Sequence, residues 1–230
     1  MEYIPYKEEK SEHEIILVRG GVGARPTILI AHAWSGRDAF VEEAAHRFAE
    51  LGFTACALDI FGREGQPQTR EEKEAAIAPF IADRTLTKHR MTSALEKISA
   101  HEGVDKGRIG AIGFCFGGLC VLDLARAGAP IRAAISVHGL LAKAPHDGSI
   151  KPAVLALHGD LDPMVSEEQV KGWCDEMRAS GASWQLHTFG GVFHAFTNPE
   201  ANDRESGLLY DEKAATLSWQ MIDAFFERSV

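Results

Sequence analysis

Nothing in this 230-residue chain approaches the run of about 20 apolar residues that a membrane span requires. Positive charge is scarce. Lys and Arg number 24 against 33 Asp and Glu, a net charge of −9 with a pI near 5.6. That balance weighs against nucleic acid and anionic membrane as partners. Cysteine is also sparse. Cys56, Cys115, Cys120 and Cys174 are scattered and form no C-x-x-C pair, which argues against a zinc site or a disulfide framework. Reduced thiols in a cytoplasmic protein are the expectation. The stretch Met1-Glu2-Tyr3-Ile4-Pro5 runs into Glu8, Glu9 and Lys10, so no signal peptide is expected there. No internal repeat and no composition break marks a linker. With 45% hydrophobic residues, one domain over 1–230 with a sizeable core is predicted.

What the chain does have is an alternation of strand and helix patterns. Strand-like runs fall at Ile15–Val18, Thr27–Ala31, Phe53–Leu58, Ile109–Phe114, Ile131–Val137, Ala153–Leu157 and Trp184–Phe189. Helical spacing starts at Asp38, with Phe40, Val41, Ala44, Ala45, Phe48 and Leu51 on one face and Gly52 as the stop. Further helices are predicted over Arg70–Ile81, interrupted by Pro79, and over Leu86–Ala100, Leu119–Ala127, Ser166–Ala179 and Leu208–Phe226. Lys143–Lys151 reads as a polar loop. The alternation predicts an α/β fold, a mostly parallel sheet with helices on both faces.

The chemistry concentrates at Gly113-Phe114-Cys115-Phe116-Gly117-Gly118. An apolar run enters it and a helical run leaves it, which is the nucleophile-elbow pattern with cysteine at the tip. Glycines two residues either side remove Cβ clashes at a sharp strand-to-helix turn. The thiol then stands at the amino end of a helix, where negative charge is favoured. A buried core thiol is the plain alternative, and the partners decide between them. Asp160 and Asp162 follow a later strand, and His194 follows the last one, after Gly190 and Gly191. The order nucleophile, acid, histidine at strand ends fits a hydrolase triad. Asp162, in Asp-Pro-Met-Val165, is preferred as the acid, and Asp160 is read as a turn residue.

These motifs, with His158-Gly-Asp-Leu-Asp162 and Gly191-Val-Phe-His194-Ala-Phe196, resemble those of the dienelactone hydrolase family of α/β-hydrolases over nearly the whole chain. The resemblance implies a single-domain α/β-hydrolase fold and a Cys115-His194-Asp162 triad. It implies an oxyanion hole from the Trp34 and Phe116 amides. The expected partner is a small ester or lactone, with no nucleic acid or membrane, no cofactor and no metal. His32, His138 and His158 lie near strand ends but lack a ligand pattern. Two positions depart from the founding members. Ala33 stands where they carry a glutamate, and Asn198 replaces the second of two carboxylate-binding arginines. The first matches Arg63, the candidate substrate-binding residue, whose plain alternative is a rim ion pair with an acid such as Glu64. Arg37, Arg84 and Arg204 are the possible substitutes for the missing arginine. A glutamine amidotransferase would carry a glutamate two residues after its histidine, where this chain has Phe196. A catalytically silent α/β-hydrolase used for ligand binding or thiol redox sensing is the alternative reading.

Overall fold

Two strands open the chain, β1 (Glu2–Glu8) and β2 (Ser11–Val18), paired antiparallel from Glu2 opposite Leu17 to Glu8 opposite Ser11. The computed structural model describes residues 1–8, 11–63, 65–145 and 150–230; Glu64 and the middle of the Lys143–Lys151 stretch lie outside them. β3 (Arg25–Ala31) leads to α1 (Ala39–Glu50), capped by the Asp38 carboxylate on the Val41 N–H, and then to β4 (Thr54–Ala57). α2 (Arg70–Ala82) and α3 (Arg84–Ser99) precede β5 (Val104–Phe114), α4 (Phe116–Arg126) and β6 (Ala133–Val137). The remainder is β7 (Ala153–Gly159), α5 (Glu167–Ser180), β8 (Trp184–Phe189), the short strands β9 (Asn202–Asp203) and β10 (Leu208–Leu209), and α6 (Glu212–Ser229).

Eight strands form one sheet in the order β1-β2-β4-β3-β5-β6-β7-β8. Every pairing from β4 to β8 is parallel, and only β1 and β2 run against their neighbours. The fold is a single-domain, mostly parallel α/β sheet, as the sequence pattern implies. α1 and α6 cover one face through Phe48, Ile222 and Phe226. α3, α4 and α5 cover the other through Met91, Leu119, Leu122 and Trp173. Strand order reverses between β3 and β5, so their carboxyl ends open a crevice at a topological switch point. Ala31 lies beside Gly113 in register there. The segments that follow these two residues therefore emerge side by side.

Three helices are tied beneath that crevice by buried charge. Arg126, fully buried on α4, donates to both carboxylate oxygens of Glu176 on α5 at 2.8 and 2.7 Å. It also donates to Asp123 at 3.1 Å, and Arg84 on α3 grips the same Asp123 at 2.7 and 2.8 Å. Such a cluster is tolerable in the interior because each charge is paired and hydrogen-bonded.

Three elements differ from the sequence pattern. α2 runs through Pro79 rather than breaking at it. Only three residues follow the proline before the helix ends, so one missing N–H costs little. The Thr69–Glu72 capping box and buried Phe80 hold the helix at its two ends. The last helix begins at Glu212, capped by Asp211, because Leu208 and Leu209 pair with Asp203 and Asn202 instead. β1 has charged residues at both ends and Pro5 at its centre, and it buries only Ile4 and Glu8, which hides it from an apolar-pattern reading.

Candidate active site

Cys115 is the one residue between the end of β5 and the start of α4, with φ 55° and ψ −118°. That backbone is costly for a residue with a Cβ and persists only where the surroundings hold it. The glycines supply the room. A Cβ on Gly113 would meet the Gly117 carbonyl oxygen at 2.0 Å, and one on Gly117 would meet the Ala31 oxygen at 2.2 Å. Without a side chain at Gly117, the first turn of α4 lies directly on the end of β3. This packing sets Phe116 beside the loop that carries Trp34. Among the described residues, neither the Trp34 nor the Phe116 N–H has a hydrogen-bond acceptor. Both residues line the same cavity of about 650 Å³ as Cys115 and His194.

His194 reaches this cavity from the loop after β8. Its Nδ1 lies 2.7 Å from Asp162 Oδ2, and both side chains are buried. The other Asp162 oxygen accepts the Met164 N–H at 2.8 Å, which fixes the carboxylate plane. Asp160 is exposed in the turn before it. The His194 backbone is clamped on both sides, its N–H to Gly207 O and its carbonyl to the Leu209 N–H, each at 3.0 Å. His194 Nε2 is buried without a hydrogen-bond partner among the described residues, and the charge of the nearby Cys115 sulfur acts on the ring. Burial is the largest single influence on this imidazole and opposes its charge. The Cys115 sulfur and the Asp162 carboxylate together outweigh burial, and the pKa is pushed up to about 10.

Cys115, His138 and Ala195 are the non-glycine residues with positive φ among the described residues, and all three line this cavity. His138, fully buried at the end of β6, holds the elbow from behind. The Cys115 N–H donates to the Val137 carbonyl at 3.0 Å and also to His138 Nδ1 at 3.2 Å, and His138 Nε2 lies against Thr197 Oγ1. Burial, then the charge of nearby His194, pushes the His138 pKa well below the usual range. His32 is likewise buried and pushed down, chiefly by burial. His158 is buried with Nδ1 unpartnered. None of the three belongs to a metal-binding cluster, and among the described residues no group of three or more His, Cys, Asp or Glu side chains could hold an ion. The sequence flags these histidines only by their positions at strand ends. Their roles depend on which backbone group each ring faces, and spacing does not encode that.

The candidate arginines do not gather at this cavity. Arg63 follows a turn at Gly62, with φ 92°, and its N–H bonds Glu12 O at 2.9 Å on the β2 side. Its side chain is 3.9 Å from Glu14 and lines a separate cavity with Glu8, Glu12 and Arg90. The rim ion pair is thus made with Glu14. Arg37 is tied to Glu14 and Arg84 to Asp123, and Arg204 lies over the Phe193 ring. The cations that do line the Cys115 cavity are Arg70 and Lys73 on α2, each 6.0 Å from the Trp34 ring centre. Arg70 is paired with Glu74; Lys73 has no carboxylate within ion-pair distance among the described residues. Ala33 and Asn198 both face the cavity.

Comparison with known proteins agrees with this architecture. A dienelactone hydrolase-like promiscuous phosphotriesterase from metagenomic libraries superposes with a TM-score of 0.93 at 33% identity, covering 99% of this chain and 97% of its own. A Bradyrhizobium protein named "Probable 2-oxo-3-(5-oxofuran-2-ylidene)propanoate lactonase" is 27% identical over 185 residues, 76% of this chain and 74% of its own. The dienelactone hydrolase of Anabaena variabilis shares the fold, with a TM-score of 0.67 at 18% identity over 100% of this chain and 97% of its own. The sequence pattern of the dienelactone hydrolase family matches residues 17–230. With that match over most of its length and the same sheet beneath it, the chain belongs to the dienelactone hydrolase family of the α/β-hydrolase superfamily.

Proposed function

We propose that the protein hydrolyses a small ester or lactone through an acyl-thioester on Cys115. The observation that carries this reading is buried His194, bonded to Asp162 through Nδ1, with Nε2 left without a hydrogen-bond partner in the cavity that Cys115 also lines. In the resting protein His194 is an imidazolium, held charged by the Cys115 sulfur and the Asp162 carboxylate. The thiolate attacks the carbonyl carbon, and the carbonyl oxygen becomes an oxyanion held by the Trp34 and Phe116 N–H groups. As the tetrahedral adduct collapses, His194 gives its Nε2 proton to the departing alkoxide. Acylation removes the negative sulfur, which is the strongest influence raising the His194 pKa. The ring, now neutral, takes a proton from water, and the hydroxide attacks the thioester. The carboxylic acid leaves and the thiolate–imidazolium pair is restored. Asp162 holds the tautomer and orientation of His194 throughout.

The cavity suits a compact, largely apolar acyl group. Trp34, Phe40, Phe114, Leu140 and Met164 are among its apolar lining residues. A thiolate beside paired amide donors also suits attack at a phosphoryl centre, and the similar metagenomic protein is described as a phosphotriesterase. Neutral phosphotriesters therefore belong in the substrate panel. The test is turnover of p-nitrophenyl esters, lactones and phosphotriesters, with and without prior alkylation of the thiol. Turnover lost on alkylation supports the reading. Ligand binding with no turnover of any panel member would favour a silent binding protein instead.

A further inference from the structure

The peptide between Ala33 and Trp34 is held from outside by the preceding side chain. The Ala33 carbonyl oxygen accepts the Gly36 N–H at 3.2 Å and a second bond from His32 Nδ1 at 2.7 Å. The other ring nitrogen of His32, Nε2, lies 3.1 Å from the Ile60 backbone nitrogen. A backbone N–H can only donate, so Nε2 is the acceptor and carries no proton. The ring proton therefore sits on Nδ1, which is where the bond to Ala33 requires it. Burial keeps this ring neutral. The Phe61 ring packs edge-on against it at 4.5 Å.

The C=O and N–H of a trans peptide point in opposite directions, and the chain has no cis peptide among its described residues. A single bond to the Ala33 oxygen would leave the peptide plane free to tilt about it. The second bond, from His32, removes that freedom. The direction of the Trp34 N–H is then set by a ring anchored on Ile60, just beyond β4.

We propose that His32 is a positioning residue for the oxyanion hole, holding the Ala33–Trp34 peptide so that the Trp34 N–H faces the carbonyl oxygen of an acyl group at Cys115. This rests on the acyl-transfer reading above. It adds to that reading a neutral histidine that touches neither substrate nor nucleophile. The Phe116 donor needs no such device, because its N–H belongs to the first turn of α4 and is aimed by the helix.

The experiment compares two reactions of one thiol. Acylation by p-nitrophenyl acetate passes through an oxyanion, whereas alkylation by iodoacetamide does not. Both rates are measured for the unsubstituted protein and for three variants. His32→Asn keeps a donor at the Nδ1 position, His32→Gln keeps an acceptor at the Nε2 position, and His32→Leu keeps neither. Losing an oxyanion donor outright costs about 100- to 1,000-fold, so misaiming one is expected to cost roughly 10- to 100-fold. That loss should appear in acylation for His32→Gln and His32→Leu, with alkylation within about 2-fold of the parent. His32→Asn should stay within about 3-fold in both reactions. The Asn and Gln pair carries the comparison if the Leu variant fails to fold. Equal acylation rates in the Asn and Gln variants, or a parallel fall in acylation and alkylation, would overturn the proposal. An unsubstituted protein that alkylates at Cys115 but is acylated by no ester removes the acyl-transfer reading and this proposal with it. That outcome is visible before any variant is made.

Discussion

His138 accepts the backbone N–H of Cys115 at its Nδ1, 3.2 Å away, and is therefore a neutral ring with its proton on Nε2. That proton is donated to Thr197 Oγ1 at 2.8 Å, three residues beyond His194. One imidazole thus links the backbone of the nucleophile to the loop of the base. Thr197→Val keeps the shape but leaves the buried His138 N–H without an acceptor. A loss of about 1–3 kcal/mol of stability is expected, read as a lower urea midpoint with an unchanged slope. An unchanged midpoint would mean that another acceptor replaces the threonine.

The four cysteines should separate sharply in reactivity. Cys56 and Cys120 are fully buried, and burial pushes both thiols up. Burial raises Cys174 as well. Mass-spectrometric mapping of limited alkylation should find Cys115 first, with activity falling in step. Cys115→Ala should abolish ester turnover, while Cys56→Ala, Cys120→Ala and Cys174→Ala should each retain it. Early labelling of Cys174 with activity intact would count against Cys115 as the nucleophile.

His194 should titrate as one partner of a pair. Its folded pKa of about 10 exceeds its ordinary 6.5, so the folded protein binds the extra proton between those values. The associated stabilisation is complete below about pH 6.5 and is lost as pH rises through about 10. Histidine-ring NMR should show imidazolium at neutral pH. In Cys115→Ala, where the negative sulfur is gone, the midpoint should fall. The same midpoint in both proteins would show that the sulfur does not set it.

Substrate charge should be read by α2 and not by the turn after β4. Arg63→Ala is expected to leave KM for an acidic ester unchanged. Lys73→Met should raise it by roughly 2- to 5-fold, the scale of a partly exposed ion pair, and should spare a neutral ester. A larger effect at Arg63 than at Lys73 would mean that the side chain swings into the cavity on binding.

Asp123→Ala should be the costly change in the scaffold. It leaves fully buried Arg126 without one carboxylate and Arg84 without its partner. Removing one member of such a buried cluster typically costs about 3–5 kcal/mol. Thermal unfolding should show the loss, whereas an effect under about 1 kcal/mol would mean that water replaces the carboxylate.

The centre of the sheet was legible because its strands there are buried on both faces. Thr27–Ala31 and Ile109–Phe114 read as apolar or β-branched runs, and the structure has buried strands there; Trp184–Phe189 is an edge strand that buries only Phe189. The positions of Cys115, Asp162 and His194 were legible because glycines and strand ends mark them. What stayed hidden depends on direction, not residue type. Arg63 follows a strand end, yet one left-handed glycine turns it away from the cavity. Lys73 belongs to a charged helix that looks solvated from its sequence, yet it lines the cavity wall. The hairpin of β9 and β10 is two residues per strand, too short for any periodicity to register.

That short hairpin separates two demands on one loop. His194 is bridged to Leu208, and the Phe196 carbonyl accepts the Asp211 N–H, so both feet of the loop are pinned. Between the feet, Asn198, Glu200, Ala201, Asn202 and Asp203 form cavity wall. Sequence changes in that span can remodel what the cavity admits without shifting the imidazole that serves it. The fold thus gives evolution a replaceable wall beside a fixed base, and new substrates can be reached by redecorating one surface loop while the buried machinery stands still.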